Sequence, residues 1–379
     1  MSSQLNTRHV SGLSLVELMI ALALGSLLVL GVSGIFVAGT KSNQAEKAIS
    51  RVQQAGRLAV ELLNHDIRQA GYRGCSSTGN DVVVSALDAN PFALRIFSLN
   101  SSSSFTPSSA GLNVDKVKGV ARGNSDVLVV TSARLIGRDV LASSFNPGST
   151  SVTFSADSNP TLPALAGSAS TPAISQSSNA SVMGVCDLQA GDWLLLSTCD
   201  QGYVYKVATA STCSSGVNST VTFDPASNNL QSGGEMLADA EALLYEEVIW
   251  YVADTGREQN DAPVYALYRL FGNQTVSEAE EMVEGVEYLN LEAGALLSDG
   301  NVRFVSASAV SVDWSTVVAA RFALLLQGFE SILDTADTED YPLLNTTINA
   351  SGAPAHGGGR FLRKVYTSSQ TLRNMNDGA

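Results

Sequence analysis

The 379-residue sequence predicts an α+β fold: one long N-terminal α-helix packed on an antiparallel β-sheet head with long loops. Two patterns and one absence predict it. From Leu13 to Val37 the chain is apolar with Glu17 as its single charge, and from Ala45 to Ala70 small and aliphatic residues recur every three or four positions, the spacing of one helix face. No proline interrupts the stretch between Leu13 and Gly71. Beyond Gly71, short apolar runs alternate with Gly, Asn, Asp and Ser turn signals, the pattern of short strands joined by loops.

Residues 1–12 form a polar leader whose charges are Arg8 and, when protonated, His9. Residues 13–37 are long enough to cross a hydrocarbon core of roughly 30 Å as a helix. The weak positive signal keeps the leader cytoplasmic and sends the remainder outward. A secretory signal places its small cleavage residue after a shorter apolar core, whereas here Gly12 precedes the core. Residues 38–71 continue the helix as an amphipathic stem, which gives one helix of about 59 residues and about 90 Å. Gly25, Gly31, Gly34 and Gly39 each weaken it by roughly 1 kcal/mol relative to alanine. They mark either a hinge at Gly31, Gly34 and Gly39 or close helix packing through small residues.

Residues 72–379 form the β-rich head. Candidate strands are Asp126–Thr131, Ser151–Phe154, Trp193–Ser197, Val204–Val207, Thr220–Phe223, Val248–Val252, Val264–Leu270 and Val317–Leu326; the last fits a helix equally well by periodicity. Ser101–Gly111 and Ala156–Ser181 are rich in Ser, Pro, Asn and Gly, too polar to order themselves by burial, and read as surface loops. Trp193, Trp250 and Trp314 lie in apolar runs and read as core.

Twenty-two basic against thirty-six acidic residues give a net charge of −14, a surface that repels nucleic acid as a whole. Only the stem is locally cationic, with Lys41, Lys47, Arg51, Arg57, Arg68 and Arg73 outnumbering Glu46, Glu61 and Asp66. Cys75, Cys186, Cys199 and Cys213 all follow the apolar run; four cysteines in an oxidising compartment suggest two disulfides, with three connectivities open. Their spacing lacks the close pairs of a zinc site. His9, His65 and His356 are the only histidines, so a nucleophilic triad is poorly supplied. The triple glycine after His356 lacks the Lys-Ser/Thr of a phosphate loop, and no cofactor motif is present. Asp334, Asp337, Glu339 and Asp340, and separately Asp254, Glu258 and Asp261, could offer oxygens to calcium, but neither group has EF-hand spacing and both read as solvated acidic loops.

The run Gly12-Leu13-Ser14-Leu15-Val16-Glu17 resembles the class III signal of type IV prepilins: a leader ending in glycine and a glutamate as fifth mature residue. The resemblance implies cleavage after Gly12 by the prepilin peptidase and N-methylation of Leu13, where phenylalanine is usual. It also implies that Glu17 pairs with a terminal amine during assembly. A carboxylate in hydrocarbon costs roughly 3 kcal/mol, and a nearby cation offsets that cost.

Arg68-Gln69-Ala70-Gly71-Tyr72-Arg73-Gly74-Cys75, Ala266-Leu267-Tyr268-Arg269, Met282 to Leu289, Trp314 to Arg321, Phe361 to Tyr366 and Leu372-Arg373-Asn374 are similar to stretches of the PilW group of minor pilins. That likeness implies a pilin-like fold in which Val317–Leu326 is a strand, and a structural subunit that catalyses nothing. Its implied partners are other minor pilins, the major pilin, a tip-associated protein, the inner-membrane assembly platform and the prepilin peptidase. The implied location is the inner membrane with a periplasmic head, and then the pilus. A type II secretion pseudopilin shares the N-terminal motif. A stem-displayed adhesin or DNA-uptake receptor is the reading from another class.

Overall fold

The computed structural model describes residues 14–74, 82–84, 92–109, 112–137, 145–154, 188–198, 201–209, 219–230, 240–308 and 312–374. The N-terminal pattern produces a single helix, α1 (Leu15–Gln69), of 55 residues. It is continuous through Gly25, Gly31, Gly34 and Gly39, around which an added Cβ would meet nothing within 4 Å. Its buried positions are Ala48, Val52, Gly56, Ala59, Leu63 and Ile67, a stripe of threes and fours on one face.

Among the described residues the head's main sheet has nine strands. These are β1 (Val82–Val84), β2 (Leu94–Leu99), β3 (Phe105–Thr106), β4 (Asp126–Gly137), β6 (Trp193–Ser197), β7 (Gly202–Lys206), β9 (Glu241–Gln259), β10 (Ala262–Phe271) and β11 (Glu280–Glu284). Between β4 and β6 in the chain, β5 (Ser151–Phe154) pairs with β8 (Ser219–Thr222) as a separate ribbon. The spine is β9, which holds β4 along one edge and first β6, then β10, along the other. All named pairings are antiparallel except β1 with β7.

Among the described residues a second sheet of four antiparallel strands runs β13 (Val302–Ser306), β12 (Val286–Leu296), β14 (Val317–Ser331) and β17 (Phe361–Thr371). A small ribbon, β15 (Tyr341–Leu343) with β16 (Thr346–Ile348), lies between β14 and β17 in the chain. Stem face and both sheets share the largest core, in which Leu63, Ile67, Leu128, Trp250, Leu267, Leu289 and Phe322 are all fully buried. A second core forms where β5 to β8 meet the start of β9, around Phe154, Leu194, Tyr205 and Phe223, with the last two rings stacked at 4.3 Å.

Each candidate strand lies in a strand or ends one residue beyond it, and Val317–Leu326 is strand rather than helix because β12 and β17 flank it on both edges. Two expectations change. The serine-rich segment 101–109 contains β3, whose Phe105 is buried edge-on against Phe97 at 5.9 Å, so one aromatic anchors what composition alone read as loop. Asp337 is not solvated: it is buried and ion-paired to Arg363, while Asp334, Glu339 and Asp340 stay exposed. Gly12, Leu13, the 156–181 loop and the four cysteines lie outside the described residues.

Candidate assembly interface

The exposed half of α1 is the largest uncovered apolar surface among the described residues. Every residue from Ser14 to Gln44 is exposed, including fifteen large hydrophobics from Leu15 to Val37. At roughly 1.5–3 kcal/mol per side chain, leaving them in water costs on the order of 20–45 kcal/mol, more than a whole domain's net stability. The segment therefore demands lipid or other helices around it. Within it, Glu17 occupies the first helical turn. The unsatisfied N–H groups and positive dipole end there favour a carboxylate by about 0.3–1 kcal/mol, less than the roughly 3 kcal/mol cost of placing it in hydrocarbon. No other described residue of this half carries a charge until Lys41, so this half supplies Glu17 with no cation of its own among the described residues.

The stem half is held to the head by specific contacts. The ring of Tyr366 of β17 packs against Gly56, where any Cβ would overlap it, and its hydroxyl donates to the Val52 carbonyl at 3.2 Å. The Trp250 indole donates to Asp66 at 2.8 Å, and Asn64 donates to the Ser368 hydroxyl at 3.0 Å. Arg51 is ion-paired to Glu330. Gly71 adopts φ +76°, a left-handed conformation that favours glycine. Its N–H donates to the Thr131 carbonyl at 2.8 Å, and Ala133 N–H donates to the Tyr72 carbonyl at 2.7 Å, clipping the stem exit to β4.

Two buried polar clusters brace the head beneath this joint. Arg363 of β17 donates to Glu287 of β12 at 2.7 and 3.3 Å, to Asp337 at 2.9 Å and to Gln327 of β14 at 3.0 Å. Burial works against the guanidinium charge, yet Glu287 and Asp337 outweigh it and hold Arg363 above its ordinary value. Burial likewise pushes Asp337 up, but the Glu339 N–H, Arg363 and Tyr341 together draw it below the usual carboxylate range. At the interface of the two sheets, Asp126 of β4 accepts from Ser98 Oγ at 2.6 Å, Leu291 N–H at 2.8 Å and Asn290 Nδ2 at 3.1 Å. Burial raises its carboxyl to about 7 against those donors, with Glu292 adding repulsion.

Of these side chains the sequence singled out only Asp337, and it did so as part of a solvated acidic loop. The readable hint was acids and an arginine inside otherwise apolar strands. His65 lies on the exposed stem face beside Asp66 and Gln69; His356 is buried, within hydrogen-bond distance of the Glu339 carbonyl at 2.9 Å and edge-on to Tyr341. Trp193, Trp250 and Trp314 are all core. Among the described residues no three His, Cys, Asp or Glu side chains gather as a metal site.

A helix half bare and apolar, half clamped to an antiparallel head, defines the class: a pilin-like α+β chain. The N-terminus matches the family model of the prokaryotic N-terminal methylation motif over residues 7–33, and the head matches that of type IV pilus-assembly protein W over residues 249–374, from within β9 to just past β17. Together the matches are consistent with a PilW-family, prepilin-like protein over these two segments. Neither the curated proteins nor the solved structures compared with the chain match it.

Proposed function

We propose that this chain is a minor pilin: a structural, non-catalytic subunit that primes assembly of a type IV pilus or sits in its tip complex. The observation that carries the reading is the bare apolar half of α1 with Glu17 as its one carboxylate, continuous with a stem fixed to a folded head. Cleavage after Gly12 would create an amine at Leu13, N-methylated in the mature chain. That amine, on a neighbouring subunit, neutralises Glu17 and sets the register of the incoming helix, while the aliphatic face supplies cohesion.

Before assembly the helix anchors the chain in the inner membrane with the head in the periplasm, and Gly31, Gly34 and Gly39 are where it opens on packing. Its partners are other minor pilins, the major pilin, a tip-associated protein, the assembly platform and the prepilin peptidase. Cys75, Cys186, Cys199 and Cys213 form two disulfides in that compartment. The test uses two substitutions. Glu17→Ala is expected to be processed normally yet to enter filaments at least tenfold less, the cost of one unneutralised or missing charge in an apolar site; Gly12→Glu blocks processing. Wild-type filament incorporation of Glu17→Ala would sink the mechanism.

A further inference from the structure

Where the stem leaves the head there is a groove of 1170 Å³ between α1, β4 and β17. Four arginines line it: Arg57 and Arg68 from the stem, Arg134 from β4 and Arg373 from beyond β17. Arg134 is paired with Glu246 at 3.0 Å. Among the described residues Arg57, Arg68 and Arg373 have no carboxylate within ion-pair distance, although all three are exposed and the chain carries fourteen net negative charges. Glu61 is the remaining acid of the groove, and its apolar parts are Val60, Leu135 and the exposed ring of Tyr72.

We propose that this groove receives an extended, carboxylate-bearing segment of a neighbouring filament subunit. This rests on the pilin reading above and adds the chemistry of one contact. Charge complementarity selects the occupant, because a cationic groove on an acidic protein attracts a short acidic segment while the whole-molecule field repels a long polyanion such as DNA. Size points the same way: the groove exceeds the range of about 300–1,000 Å³ usual for small-molecule pockets. Geometry gives the spacing. Arg57 and Arg68 are eleven residues apart, hence on one helix face and about 16 Å apart along the axis. An extended segment rises about 3.3 Å per residue and alternates its side chains between two faces, so two carboxylates on the groove side would stand about four or six residues apart.

The test takes the full chain in detergent micelles and a labelled nine-residue peptide of threonine and valine with glutamates at its second and sixth positions, on one face of the extended chain. A glutamine counterpart, a ten-nucleotide oligo-dT and inorganic phosphate are compared with it. The glutamate peptide is expected to bind about tenfold more tightly than its glutamine counterpart. That advantage should vanish in about 0.5 M NaCl, where screening is strong, and in the Arg57→Gln/Arg68→Gln/Arg373→Gln variant. If that variant melts at a lower temperature, Arg373→Gln alone provides the comparison. Equal binding of the two peptides, absence of binding by both, or an undiminished advantage in the variant overturns the proposal. So does tighter binding of oligo-dT, which would make the groove a nucleic-acid surface, or full competition by phosphate, which would make it a simple anion site. The measurement needs no filament, so its failure leaves the role of Glu17 standing, and failure of Glu17→Ala leaves this measurement readable.

Discussion

The two halves of α1 are built from similar aliphatic residues, yet among the described residues one is covered by its own chain and the other is not. From Ala48 to Ile67 the stripe meets β11, β14 and β17, and six positions are buried; from Leu15 to Val37 none is. The same contrast holds for two carboxylates in apolar surroundings. Asp126 is met by three donors within the head, whereas Glu17 has no cation near it among the described residues. One acid is met by donors of its own head and the other by no cation among the described residues, just as one half of the helix is covered by the head and the other half is exposed.

The largest effect that could break this division is a cavity. Leu63 is fully buried in the main core and Leu28 is 68% exposed. Leu63→Ala should destabilise the head by about 2–5 kcal/mol, the range for truncating a core aliphatic, while Leu28→Ala should leave it unchanged. All three tryptophans lie in the head, so thermal melts of the full chain in detergent, followed by tryptophan fluorescence, report the head alone. Equal shifts from the two variants would erase the distinction.

Glycine gives a sharper contrast because the same substitution should act in opposite directions. In a helix, alanine is favoured over glycine by about 1 kcal/mol. Around Gly34 there is open space, so Gly34→Ala should raise helicity without moving the head's melting point. At Gly56 the new methyl would strike the ring of Tyr366, and overpacking of about 1–3 kcal/mol should exceed the propensity gain. Pairing Gly56→Ala with Tyr366→Leu should recover part of the loss. A stabilised Gly56→Ala head would show that the stem is not closely seated.

What the sequence made legible follows from how local each signal is. The helix, its apolar half and Glu17 within it are written in spacings of three and four, and candidate strands such as Trp193–Ser197 are written in runs of a few residues. The braces are not local: Arg363 meets Glu287 across 76 positions, and Asp126 meets Asn290 across 164. The groove draws its arginines from positions 57, 68, 134 and 373, and no window of sequence contains that assembly. Asp337 shows the limit directly. By composition it belongs to an acidic loop, and only the return of β17 supplies the arginine that buries it.

Asp126 supplies the smallest effect per unit of the variable and a direct test of the contrast between the two acids. Its carboxyl titrates at about 7 in the folded head against roughly 3.9 in an unfolded chain. Between those values the folded state binds a proton that the unfolded state does not. Linkage then makes stability fall as pH rises, by up to about 1.4 kcal/mol per pH unit, with no further loss well above pH 7. Asp126→Asn keeps an oxygen for Leu291 N–H and Asn290 and can turn its amide toward Ser98, whose hydroxyl can accept as well as donate. The variant should therefore fold with a flatter profile between pH 5 and 7 and be relatively more stable at pH 8, read as the wild-type minus variant difference in melting temperature. A difference that does not change across that range would mean the ionised carboxylate is already at home among its donors. The two acids would then differ only in having or lacking hydrogen bonds, and not in the cost of their charge.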